Sequence, residues 1–170
     1  PYIQLGLKNG PMKEEILAQI SKVMEQGQFV FGDQSNEFEK SFSLLCNTRF
    51  ALGVANGTDA LILALKAIGL QPGDEVITAP NSFLASASAI VLAGGKPVFA
   101  DVKADMNLDP EYLEKAISKK TKAIIPVHLT GRPAEMDKIM ALANQFNIPV
   151  LEDCAQAIGA KFKGKPIGSF

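Results

Sequence analysis

The chain has 170 residues, 47% of them hydrophobic, and 17 Lys plus Arg nearly cancel 18 Asp plus Glu, leaving a formal net charge of −1. That suits one domain with a substantial core, gives no basic footprint for nucleic acid, and offers no apolar run near the ~20 residues of a membrane helix. Two cysteines, Cys46 and Cys154, and one histidine, His128, fall short of a disulfide framework or of most His-based metal centres built from this chain alone.

In chain order, residues 5–12 are interrupted by Lys8, Asn9 and Pro11, which is not a secretory pattern. A cytoplasmic location is therefore expected. Residues 12–26 place Ile16, Ile20, Val23 and Met24 on one helical face, with Gly27 as the stop. A second helix is expected over 33–45, with Phe38, Phe42 and Leu45 on one side. From there strands are expected at 50–54, 75–78, 97–100, 123–127 and 149–151. Helices are expected between them at 58–68, 82–92, 110–117 and 134–146. Asp109-Pro110 supplies an N-cap and a first-turn proline. Alternation of this kind predicts an α/β fold, a mainly parallel sheet with helices on both faces.

Three strand-to-helix junctions could carry chemistry. In Asn56-Gly57-Thr58-Asp59-Ala60-Leu61, Gly57 permits close approach of a ligand, Thr58 offers a hydroxyl, and the first-turn N–H groups suit a phosphate. An ordinary N-cap by Asn56 or Thr58 accounts for the same residues. In Ala79-Pro80-Asn81-Ser82-Phe83, Phe83 could lie over an aromatic ligand or simply join the core. At Glu152-Asp153-Cys154-Ala155-Gln156, an apolar run ends in two carboxylates at the carboxyl edge of the sheet, where α/β proteins bind ligands. A carboxylate there calls for a cation, and a protonated pyridine nitrogen is one.

Other features carry less. The run from Gly159 to Lys165 imitates a P-loop, but Pro166 stands where Ser or Thr must bind magnesium, and Lys161, Lys163 and Lys165 alternate as on a solvated hairpin. His128, at the end of a strand, reads as a hydrogen-bonded neighbour of the site rather than its base. Cys154 reads as a small buried residue.

Taken in order, these segments resemble the DegT-type sugar aminotransferases, pyridoxal-phosphate enzymes of fold type I. The resemblance rests on residues 27–32, 56–61, 73–77, 126–131, 152–157 and 164–169, nearly the whole chain. It implies an aspartate-aminotransferase-like large domain, incomplete at its C-terminus. Residues 1–32 would be an N-terminal helical lead-in, residues 33–170 part of the cofactor-binding domain, and the small C-terminal domain would lie beyond.

The resemblance also implies roles. Gly57, Thr58 and the amide of Asp59 would hold the phosphate of pyridoxal 5′-phosphate, Phe83 would stack on the ring, Asp153 would pair with the ring nitrogen, and Gln156 would contact the ring hydroxyl. Phe29 would lie near the sugar, with His128 behind the site, in a homodimer sharing its active sites. The expected activity moves an amino group, with glutamate the expected donor, to a nucleotide-linked keto-sugar through Schiff-base chemistry. The Schiff-base lysine is expected about a dozen residues past Phe170, so these residues alone are expected to be inactive. Thr130 departs from the aromatic residue that many members carry. A sugar dehydratase of the same family and a non-catalytic regulator are the alternatives.

Overall fold

The computed structural model describes residues 10–170; the sequence readings on residues 1–9 lie outside them. After a short 3-10 turn at Gly10–Met12 come α1 (Lys13–Gln26), α2 (Asp33–Cys46) and α3 (Gly57–Ala67). Then β1 (Glu75–Thr78), α4 (Leu84–Ala93), β2 (Lys96–Phe99), α5 (Pro110–Ala116), β3 (Thr121–Ile125) and α6 (Met136–Gln145) alternate. A hairpin of β4 (Lys161–Phe162) and β5 (Lys165–Pro166) follows.

The sheet is parallel, in the order β2-β1-β3. Pro97 sits in β2, at its edge, where a missing ladder donor is tolerated. Strand alternation divides the core in two. Val76, Ala123 and Ile125 pack with Leu61 and Leu65 of α3 and Ala89 and Ile90 of α4. Ile77 and Ile124 face the other way, towards Leu113 of α5 and Met136 and Ile139 of α6. Helices therefore cover both faces. Gly95, after α4, is closely packed: a Cβ there would stand 2.8 Å from Leu70 Cδ2, and that buried side chain would have to shift.

Several local expectations hold. Gly27 ends α1 in the left-handed conformation, and the Asp109 side chain caps α5 through the Glu111 amide. The hairpin turns through Lys163 and Gly164, both at positive φ, which is the conformation of a type I′ turn.

Two expected strands are corrected. Residues 50–54 form no ladder among the described residues, and Phe50 and Leu52 are each 82% exposed. A strand exists only when its N–H and C=O groups pair with a neighbour, and apolar alternation cannot supply one. Residues 149–151 do run beside β3, through parallel bridges Ile124↔Val150 and Val127↔Asp153. Pro126 and Pro149, which lack N–H donors, break the continuous ladder. The apolar stripe of α1 is amphipathic as expected, yet none of its residues is buried among the described residues.

Candidate functional site

The carboxyl ends of β1, β3 and the 149–153 segment meet the start of α3 at one cleft of about 320 Å³, large enough for a small cofactor. Gly57 and Thr58 form one wall, Ser82 and Phe83 another, and Asp153 and Gln156 a third. Five of the sequence-predicted residues are thus brought together. Asp59 stands just behind, in the first turn of α3.

The wall at α3 is built by its cap. Asn56 Oδ1 accepts from the Asp59 amide at 2.9 Å, and Asn56 Nδ2 donates back to Asp59 Oδ2 at 3.0 Å. This reciprocal pair occupies the Asp59 amide. Helical bonding begins with Ala60 N–H to Asn56 O, so the Gly57 and Thr58 N–H groups lie ahead of it. A Cβ built on Gly57 would meet nothing within 4 Å. The helix N-terminus is therefore open to an anion.

Phe83 stands just ahead of α4, a residue 73% exposed that lines the cleft rather than joining the core. Opposite, the two acids at the end of the 149–153 segment diverge, as successive residues of an extended chain must. Asp153 lines the cleft. Its Oδ2 accepts from Ser86 Oγ at 3.1 Å and its Oδ1 from the Ala155 amide at 3.2 Å. Glu152 turns inward: Oε2 accepts from His128 Nε2 at 3.1 Å and from the Gly168 amide at 2.9 Å, and Oε1 from the Phe170 amide at 2.9 Å. Burial by itself would raise the Glu152 pKa, but these donors bring it below the ordinary glutamate range.

Gln156 is aimed by its own acceptor. Oε1 takes the Thr130 N–H at 2.9 Å, which leaves the Nε2 donors for the cleft. Thr130 holds that amide in place with a left-handed backbone, φ +55°, unfavourable for a β-branched residue. Buried Asn107 secures the turn: Oδ1 accepts from Leu129 N–H at 3.0 Å, and Nδ2 donates to Arg132 O at 3.1 Å.

His128 and Phe29 are not brought to the cleft. His128 is fully buried, and Nδ1 accepts from the Ala134 amide at 3.0 Å, so the ring proton sits on Nε2 and points to Glu152. Phe29 lines a separate apolar groove beside Ile16, Ile20 and Met24 of α1. His128, Glu152 and Cys154 bring potential ligand atoms within 4.8 Å of one another, but the His and Glu atoms are already hydrogen-bonded. The Cys154 thiol is pushed up to about 12, by burial first and then by the Glu152 and Asp153 carboxylates. That disfavours the thiolate form a nucleophile needs.

Sequence reasoning missed Ser86, Asn107 and the inward, structural role of Glu152. For Ser86 the available signal was its spacing from Ser82, one helical turn along the same face.

The model of the DegT/DnrJ/EryC1/StrS aminotransferase family matches residues 11–170. Among curated proteins, the chain is 43% identical over 169 residues to a pleiotropic regulatory protein of Geobacillus stearothermophilus, covering 99% of this chain and 45% of that one. It is 44% identical to a UDP-N-acetyl-3-dehydro-alpha-D-glucosamine 3-aminotransferase of Acidithiobacillus ferrooxidans, covering 100% of this chain and 46% of that one. Among solved structures, Streptomyces venezuelae DesV in complex with a ketimine intermediate superposes with a TM-score of 0.97 at 39% identity, covering 100% of this chain and 46% of that one. The chain therefore spans about half the length of the relatives it matches. With its sheet order, its cleft at the carboxyl edge and this match in hand, the chain belongs to the DegT/DnrJ/EryC1/StrS aminotransferase family, with the fold type I architecture.

Proposed function

We propose that this chain is the cofactor-binding part of a pyridoxal-phosphate-dependent aminotransferase that moves an amino group from an amino acid, glutamate being the expected donor, to a nucleotide-linked keto-sugar. The observation that carries this reading is the three-walled cleft. An open helix N-terminus, an exposed phenylalanine ring and a carboxylate anchored by two donors face the same 320 Å³.

The residues present fit the group. Gly57 and Thr58 would hold the phosphate with their free amides and the Thr58 hydroxyl, at the positive end of α3. Asp59 supports them through its cap with Asn56 rather than by its own amide, which is taken. Phe83 would cover one face of the ring. Asp153 would keep a proton on the ring nitrogen, and Gln156 Nε2 would donate to the ring oxygen. When bound, pyridoxal phosphate supplies an electron sink for the carbon that exchanges its amino group. This chain's residues orient it, keep its nitrogen charged and exclude water from one face.

The amine that moves the proton would come from a lysine following residue 170, with the small domain and the rest of the length seen in relatives. Residues 1–32 would serve as lead-in and 33–170 as part of the cofactor domain, with Phe29 near the sugar and His128 behind the site, where its ring holds Glu152. The working unit would be a cytoplasmic homodimer. A second reading, a regulator that keeps this fold, is favoured by the 43% identity to the Geobacillus protein. Full-length protein, cofactor, glutamate and a nucleotide-linked 3-keto-sugar separate the two. The aminotransferase forms 2-oxoglutarate and amino-sugar in equal amounts, whereas cofactor binding without turnover across a panel of keto-sugars supports the regulator.

A further inference from the structure

Ser86 is the third residue of α4, 1% exposed, and does not line the cleft. A serine inside a helix commonly bonds back to a carbonyl of its own preceding turn. Ser88 does so, to Ala85 O at 3.4 Å. Ser86 instead reaches across 67 positions of sequence to Asp153 Oδ2 at 3.1 Å, and meets Ser82 Oγ at 3.1 Å. An ionised carboxylate only accepts, so the single Ser86 proton goes to Asp153. The contact with Ser82 must then run the other way, Ser82 donating to Ser86. The result is a directed chain, Ser82 to Ser86 to Asp153, that links two walls of the cleft through a buried hydroxyl, and it leaves Ser82 presenting lone pairs, not a proton, to whatever occupies the cleft.

We propose that Ser86 is a positioning residue that fixes the plane of the Asp153 carboxylate relative to Phe83, so that ring nitrogen and ring face are held by one turn of helix α4. This rests on the cofactor reading above. Phe83 is the residue just ahead of the helix, and the Ser86 N–H bonds its carbonyl at 3.2 Å, which ties the two positions together. Ala155 N–H restrains the other carboxylate oxygen. Without the Ser86 hydroxyl, the carboxylate keeps one anchor and rotates about it.

The test uses full-length protein and four chains: wild type, Ser86→Ala, Ser86→Thr and Ser88→Ala. The readouts are the Kd for pyridoxal phosphate, the pH dependence of the bound-cofactor absorption spectrum, and the Tm of each cofactor-free protein. Ser86→Ala is expected to weaken binding about tenfold, the scale of one hydrogen bond to a charged group, and to displace the spectral pH profile. Ser86→Thr restores both, and Ser88→Ala matches wild type. A Ser86→Ala protein with wild-type Kd and profile overturns the proposal, as does equal loss in the Ala and Thr variants, since that is packing and not the hydroxyl. If Ser86→Ala does not accumulate, Ser86→Cys, similar in shape with a weaker donor, takes its place: intermediate loss supports the proposal and wild-type behaviour overturns it. Failure of wild type to bind the cofactor overturns the cofactor reading first, and this inference with it.

Discussion

Glu152 and Asp153 are neighbours in sequence with opposite environments, and each yields a distinct expectation. Asp153→Asn keeps the shape but loses the charge that would hold a proton on a ring nitrogen. We expect full-length Asp153→Asn to lose about a hundredfold in turnover, the scale of a charge-assisted hydrogen bond of about 3 kcal/mol. An unchanged kcat removes Asp153 from the site. Glu152→Gln puts an amide donor against donors from His128, Gly168 or Phe170. Breaking such a buried arrangement costs about 3 kcal/mol at neutral pH, read from urea unfolding. The folded Glu152 pKa lies below the unfolded value of 4.5, so its contribution is complete above that value and is lost as pH falls through the lower folded one. Wild-type stability should therefore fall more steeply below about pH 4.5 than that of Glu152→Gln, and parallel acid profiles contradict the assignment. An acid at a strand end was legible in the sequence. Asp153 could be named there as the acid that faces the cleft; what Glu152 does was not legible, because its donors from His128, Gly168 and Phe170 come from distant segments that only the fold brings to it. Ser86 carried only its one-turn spacing from Ser82, which does not single it out until the fold brings Asp153 to it.

At the scale of elements, what could be read were the features that a segment carries by itself. The 3.6-residue stripes gave the helices to within a few residues at their ends, and β1 matched its expected span. The segments at 50–54 and 149–151 failed as strands because pairing belongs to two segments at once, and because Pro126 and Pro149 withhold donors. The packing of α3 against the sheet can be tested directly. Leu65 is fully buried among Val76, Ala89 and Ile90, on the helix whose first turn forms the Gly57 and Thr58 wall. Leu65→Ala should destabilise the protein by about 3 kcal/mol through lost burial and the cavity left behind. A loss under about 1 kcal/mol in chemical denaturation shows that α3 is not held by this contact.

At the scale of the whole molecule, the apolar surface is uneven. The core around the cleft is closed, whereas Phe50, Leu52 and the Ile16, Ile20, Met24 stripe of α1 face solvent. Contiguous exposed apolar surface and unpaired extended chain favour association. The 170-residue chain expressed alone should self-associate in light scattering, and Phe50→Lys with Leu52→Lys should reduce it; a monomer at high concentration contradicts this reading of the surface. The central claim is that the cleft is a pyridoxal-phosphate site completed by a downstream lysine. Its most direct test is the denatured intact mass of full-length protein after incubation with pyridoxal phosphate and reduction with borohydride. One stoichiometric adduct, mapped by peptide analysis to a lysine following residue 170, is the predicted result. A protein that shows no stoichiometric adduct, or one scattered over surface lysines, contradicts it.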